Sequence, residues 1–284
     1  MLYLLFALFF STCIFVTFKY FNRFRIGLLP AITMNYVIAS AFGYLSCRET
    51  GTMVSMLQQP WMLMAILAGL TFILTFVVFA LSTQKVGVAM TVVSGKMSIV
   101  LSVAVGFLLL AEPFNLIKML GIAAALLAFY LSNYGREKVQ SSRKYLFLPV
   151  LLFLSTGAND ILMKLSGVYY PHRDAMQFLA ATFFTSFIIG VLLTVYKMLR
   201  SSLKISWKDI LAGTLLGFLN WYSTYFFIKG LFVLPISLFI PVFNAALVFI
   251  AAVSGYFFFN EKLSRINRVG VLLAVLAIVV IAFS

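Results

Sequence analysis

Charge is what this chain lacks most. Asp, Glu, Lys and Arg together make up 10% of its 284 residues, and a soluble domain needs about 25% to clothe its surface. A soluble globular domain is therefore excluded. Acidic residues are the scarcest, seven against 21 Lys and Arg, which leaves a formal net charge of +14. Cysteine is limited to Cys13 and Cys47, without metal-ligand spacing, so neither a disulfide nor a metal site is expected. The one histidine, His172, sits beside Arg173 and Asp174. No G-x-x-x-x-G-K-[ST], H-E-x-x-H or G-x-S-x-G occurs, and no paired carboxylates lie within the apolar stretches. These absences argue against a nucleotide-driven pump and an intramembrane enzyme, and no cofactor is expected. Period-2 alternation is missing, which sets aside a membrane barrel. No basic run is long enough for a nucleic-acid-binding face.

What is present is apolar. Hydrophobic residues make up 63% of the chain and mean hydropathy is +1.09. They lie in blocks of roughly 18 residues or more, the length a helix needs to cross ~30 Å of hydrocarbon. Charge and turn clusters divide the chain into ten segments: 2–18, 28–45, 61–83, 87–110, 115–132, 146–165, 175–196, 209–231, 235–258 and 267–283. The fold expected is an all-α membrane protein with ten transmembrane helices. The N-terminus carries no basic region and no small-residue cleavage pattern, so it reads as a retained first helix.

The basic residues are unevenly placed. Loops after odd-numbered helices hold Lys19, Arg23, Arg25, Lys85, Arg136, Lys138, Arg143, Lys144, Lys197, Arg200, Lys204, Lys208, Lys262, Arg265 and Arg268. Loops and helix ends after even-numbered ones hold Arg48, Lys118, Arg173 and Lys229. The positive-inside rule makes the odd loops cytoplasmic and both termini non-cytoplasmic. The lipid bilayer, with its anionic headgroups, is the partner that the net charge fits.

An internal repeat follows from two blocks. One reads Leu110-Ala-Glu112-Pro-Phe-Asn-Leu-Ile-Lys-Met-Leu-Gly121, the other Phe259-Asn-Glu261-Lys-Leu-Ser-Arg-Ile-Asn-Arg-Val-Gly270. Glu112 and Glu261 are 149 apart, as are Gly121 and Gly270. Phe10-Ser11-Thr12 likewise resembles Leu154-Ser155-Thr156. The halves are 1–138 and 139–284, each with five helices. Five is odd, so the second copy enters the membrane from the opposite side, as its loop charges also require. Inverted repeats of this kind place a substrate site where the halves meet.

Two five-helix halves, each with a Glu-x(8)-Gly block before its last helix, resemble the drug/metabolite transporter superfamily, EamA type. The resemblance covers nearly the whole chain. It implies a small-metabolite carrier with a central cavity lined mainly by helices 1, 3, 4, 6, 8 and 9. It leaves the substrate open.

An ionisable residue deep in a membrane helix costs roughly 2.5–3.5 kcal/mol on insertion scales, so such residues usually face a cavity. Lys96 lies about nine residues into helix four, ~14 Å at 1.5 Å per residue, too deep to snorkel easily. Its small neighbours Ser94, Gly95 and Ser98 admit a close approach. Helix six carries Asn159, Asp160 and Lys164, the last two at i,i+4 on one face. Helix eight carries Asn220, Trp221, Tyr222 and Tyr225. Helix nine carries Pro241 and Asn244, and helix two Thr33 and Asn35. Lys96, Asn159, Asp160, Lys164, Asn220, Trp221, Tyr222, Tyr225, Asn244 and Asn35 form the expected substrate-binding set. For the uncharged members interhelical hydrogen bonding is an equal alternative. Two cations, Lys96 and Lys164, against one anion, Asp160, favour a substrate with a carboxylate or phosphate. Glu112 and Glu261 read as structural, fixing the turn between the last two helices of each half.

The expected function is secondary transport of a small polar metabolite across a bacterial inner membrane by alternating access. Partners are the small-molecule substrate and a coupling proton or counter-substrate, and a monomer suffices. A lipid flippase or a receptor on the same fold is the alternative.

Overall fold

A computed structural model of the chain describes residues 2–47, 57–109, 116–134, 145–169, 175–201, 204–233, 236–261 and 263–282. It is helical throughout these stretches. The helices are α1 Leu2–Arg23, α2 Leu28–Cys47, α3 Met62–Lys85, α4 Val88–Lys96, α5 Ile99–Leu109, α6 Leu116–Asn133, α7 Phe147–Tyr169, α8 Ala175–Ser201, α9 Trp207–Val233, α10 Ile236–Phe259 and α11 Arg265–Ala282. The reason is that lipid offers no hydrogen bonds, so each crossing must satisfy its own backbone. Among the described residues six stretches are long and apolar enough to cross a membrane: Leu2–Arg23, Leu28–Cys47, Met62–Lys85, Val88–Val105, Met176–Arg200 and Val242–Phe259. The chain is thus a multi-pass helical membrane protein. Glu112, His172, Arg173 and Asp174 lie outside the described residues, as does the side chain of Lys164.

Each expected segment falls on helix, with one correction. The fourth was expected to run unbroken over 87–110; it is interrupted at Met97 and Ser98. The Ser98 N–H bonds the Gly95 carbonyl at 3.3 Å, and the Val100 N–H bonds that of Met97 at 3.2 Å. These i→i−3 bonds replace the α-helical ones to Ser94 and Lys96. Ser98 Oγ adds a bond to the Gly95 carbonyl at 2.6 Å. No proline is involved; Gly and Ser together loosen a helix in the same way.

Helix ends have local causes. Arg25, at φ 54°, closes α1, and the Ile26 N–H returns to the Phe21 carbonyl at 2.9 Å, the six-to-one bond of a left-handed cap. Asn260, at φ 50°, closes α10. Gly87, at φ 122°, separates α3 from α4, a conformation that only glycine adopts without strain.

The chain divides into two compact units. Unit one holds Met1–Lys19, Val78–Gly157 and Ser223–Ser284, and unit two holds Tyr20–Val77 and Ala158–Tyr222. Neither coincides with the halves 1–138 and 139–284, because each gathers stretches from both.

In unit one α6 and α11 pack antiparallel. A Cβ on Gly121 would stand 2.7 Å from Ile281, and one on Gly270 would stand 2.5 Å from the Ser132 nitrogen. The start of each helix thus meets the end of the other. Asn267 locks one crossing: its Nδ2 donates to the carbonyls of Leu131, Ser132 and Tyr134 at 3.1, 3.0 and 3.1 Å.

Unit two repeats the plan with α2 and α8. A Cβ on Gly43 would meet Ala180 at 3.1 Å, and one on Gly190 would meet Thr33 at 3.0 Å. Gly69 of α3 presses on the Thr182 carbonyl and Thr185 of α8, and Gly217 of α9 presses on the Asn35 carbonyl and Ile38 of α2.

Asp209 anchors unit two. It is buried, at 3% exposure. One oxygen accepts the N–H of Gly27, just before α2, at 2.6 Å, and the other accepts the N–H of Ser206, just before α9, at 2.9 Å. One carboxylate therefore caps two helix starts, where the dipoles favour an anion. Asp209→Ala should cost about 2–4 kcal/mol, the scale of two charge-assisted caps. The check is the melting temperature of detergent-purified protein, with Asp209→Asn expected between the two.

Candidate functional site

Lys96 is the last residue of α4, placed at the helix interruption. Its side chain is half-buried, with Nζ 5.4 Å from the centre of the Phe243 ring of α10. A cation over an aromatic face is held by the ring quadrupole. Phe243 is itself fixed, stacked on Phe239 at 6.1 Å and edge-on to Phe227 at 4.9 Å.

Other helices border the same turn. Asn133 of α6 donates Nδ2 to Ser94 Oγ at 3.4 Å and to the Phe129 carbonyl at 2.8 Å. Its Oδ1 is buried without a hydrogen-bond partner. Gly95 faces Leu152 and Thr156 of α7, with ordinary contact distances for an added Cβ. The last turn of α4 is therefore met by α6 at Ser94, by α7 at Gly95 and by α10 at Lys96, through residues that all lie in unit one and come from both 1–138 and 139–284. Asn244, next to Phe243, is half-buried. This surrounding fits a charge held at a break in a membrane helix, where loosened backbone and small side chains leave polar groups within reach of a ligand.

The remaining expected residues fall into separate roles. In unit two Asn220 donates to Asn35 Oδ1 at 3.2 Å, and the Asn35 amide nitrogen is buried without a partner. That pair ties α9 to α2, the interhelical alternative expected for it. Trp221 is buried at 3% exposure. It stacks on Phe42 at 6.4 Å and 15° and meets Phe183 in a T-shaped contact at 6.2 Å. Tyr222 packs on Phe42 and Phe218. Asn159 donates to Thr75 Oγ1 at 3.0 Å and its Oδ1 is buried without a partner. Asp160, one residue on, is exposed. Tyr225 belongs to unit one, edge-on to Phe226 at 5.4 Å and 5.6 Å from Lys229 Nζ. The ten residues thus do not form one cluster within a unit. Lys96, Tyr225 and Asn244 lie in unit one, and Asn35, Asn159, Asp160, Lys164, Asn220, Trp221 and Tyr222 in unit two.

Glu261 departs from its expected role. Its backbone N–H does fix its own turn, bonding the Gly255 carbonyl at 2.9 Å. Its carboxylate goes elsewhere. Oε1 accepts Lys19 Nζ and the Val88 N–H, both at 2.8 Å, and Oε2 accepts the Ala89 N–H at 3.5 Å. It caps α4 and pairs with α1. Lys19 had read as a loop charge for topology. Its partner lies 242 residues away, and no spacing rule reaches that far.

No family model matches the chain. An uncharacterized protein of Haemophilus influenzae is 23% identical over 291 residues, covering 97% of this chain and 95% of that one. A solved crystal structure of a protein with 14% identity superposes with a TM-score of 0.58, covering 97% of this chain and 96% of its own. At that identity the likeness is one of fold, and it extends over nearly the full length of both chains.

Proposed function

We propose that this chain is a secondary transporter for a small polar metabolite, working by alternating access, with Lys96 at the heart of its substrate site. The observation that carries this reading is the interrupted α4–α5 stretch, with a cation at the interruption and helices of both sequence halves around it. Helices broken in mid-membrane are where carriers expose backbone and charge to solute. A lysine there favours a carboxylate or phosphate group on the substrate.

The architecture proposed is ten crossings in two inverted five-helix repeats, 1–138 and 139–284, in a bacterial inner membrane. Mirrored contacts support it. Gly121 touches Ile281 and Gly270 touches Ser132; 121 and 270 are 149 apart, and so are 132 and 281. Gly43 touches Ala180 and Gly190 touches Thr33; both equivalences are 147 apart. Exchanging the copies turns each contact into its partner, which is the mark of an isologous two-fold. Because each pair is antiparallel, the exchange reverses helix direction. An axis along the membrane normal cannot do that, whereas one in the membrane plane does. The ends of α1, α3 and α10, expected on one face, also meet at Lys19, Thr83 and Glu261. The charge rule makes that face cytoplasmic and puts both termini on the other side.

The test is a thermal-shift screen of purified protein against carboxylates, phosphates, amines and neutral solutes. A ligand at 100 times its Kd stabilises by about 2.7 kcal/mol. An anionic solute is expected to raise the melting temperature by several degrees and then to drive counterflow in proteoliposomes. A folded protein that responds to no small solute in either assay, but does move labelled lipid between leaflets, overturns the metabolite reading.

A further inference from the structure

The Glu261 carboxylate occupies a slot built for it. Cβ atoms on Gly87 and Gly255 would stand 2.8 and 2.7 Å from Oε2, so neither position accepts a side chain without expelling it. The left-handed Asn260 turns the chain back at the end of α10 to aim Glu261 inward. Lys19 is held in turn: Nζ also donates to the Thr83 carbonyl at 3.3 Å and stands 5.8 Å from the Phe259 ring. Behind the slot, Ser82 and Thr91 share a hydrogen bond at 2.7 Å, and Thr91 donates to the Gly87 carbonyl at 2.6 Å.

α4 starts at this slot and ends at Lys96, nine residues in all. Eight steps of 1.5 Å separate its ends by ~12 Å. At both ends the backbone leaves the α conformation, at Gly87 with φ 122° and at the i→i−3 bonds of Ser98 and Val100. A short rigid helix between two such points can swing as one body. What fixes its start is a side-chain ion pair between Lys19 of α1 and Glu261 in the turn just after α10, which can open without unfolding any helix.

We propose that Glu261 is a positioning residue: with Lys19 it latches the start of α4, and opening the latch moves α4 and Lys96 together. The ligand at Lys96 and the state of the latch are then coupled, which is what alternating access requires of a site and a gate. That significance rests on the transport reading; the latch itself does not.

The test uses full-length protein with Cys13 and Cys47 replaced by alanine and one reporter, Val88→Cys, at the buried first residue of α4. The rate of modification by a membrane-impermeant maleimide is followed in inside-out vesicles. Glu261→Gln and Lys19→Gln are each expected to raise that rate about tenfold, and Lys19→Arg to leave it slow. Lys96→Met should change it several-fold, and the exposed Lys208→Met should not. A second reporter, the buried Ala274→Cys of α11, must stay slow throughout. Equal rates in Lys19→Gln, Lys19→Arg and the parent overturn the latch. So does a rise shared equally by Ala274→Cys, which marks general loosening. An unmoved rate in Lys96→Met alone breaks the coupling. No substrate enters the assay, so failure of the transport reading is scored separately, by the solute screen.

Discussion

Lys96→Ala is expected to lower carrier-mediated uptake at least about thirtyfold while leaving the protein folded. Losing one partner of a desolvated charged contact costs about 2–5 kcal/mol, and each 1.4 kcal/mol is tenfold. Folding should survive, because removing a charge from membrane-embedded surroundings relieves an insertion cost of roughly 2.5–3.5 kcal/mol. The cation–π contact with Phe243 returns less than that, about 0.5–2 kcal/mol. Lys96→Gln separates charge from hydrogen bonding. It keeps a donor near the same place and is expected to be nearly as inactive as alanine. Phe243→Leu removes the ring and leaves the ammonium, so a smaller effect is expected, about tenfold at most. The measurement is uptake or counterflow in proteoliposomes, normalised to monodisperse protein. Full activity in both Lys96 variants would remove this residue from substrate binding and from coupling.

The second large effect concerns stability. Gly270→Ala should destabilise by about 3 kcal/mol, and Gly121→Ala should stay within about 1 kcal/mol of the parent. The two positions are equivalent in the proposed repeat, and they differ in how closely backbone approaches them. At Gly270 the new Cβ falls 2.5 Å from the Ser132 nitrogen and 2.9 Å from the Leu131 carbonyl carbon. Backbone atoms cannot step aside singly, so α11 must move off α6 and strain the three bonds of Asn267. At Gly121 the one contact under 3.0 Å is with a side-chain atom, Ile281 Cγ1 at 2.7 Å, and the nearest backbone atom, the Ile281 nitrogen, stands at 3.2 Å, so the adjustment needed is smaller. The gain of ~0.8–1 kcal/mol in helix propensity from Gly to Ala offsets much of that smaller clash. Melting temperatures of the two variants, read side by side, check the order. A Gly121 variant less stable than the Gly270 variant would mean that the α6–α11 register differs from the one described.

The mirrored contacts also separate symmetry from compactness. The repeat proposed above is supported by contacts made twice, such as Gly69 on α8 and Gly217 on α2. Compact units form wherever helices pack most densely, and here each draws on both halves.

The sequence by itself determined the membrane class and the placement of the helices. Those properties are one-dimensional. A bilayer demands a set length of apolar residues, so reading along the chain is enough. The Glu-x(8)-Gly blocks marked Glu261, Gly121 and Gly270 as special positions, and Ser94, Gly95 and Ser98 marked Lys96 as closely approached. Only the tertiary structure decided what these positions do. It broke the fourth segment beside Lys96, where a Gly/Ser cluster is a signal that could have foretold it. It sent Glu261 to the start of α4 and to Lys19, packed Trp221 against Phe42 and Phe183, and joined Asn220 to Asn35. These are pairings between residues far apart in the chain, fixed by how glycine-lined helices approach one another, and no local pattern carries that distance.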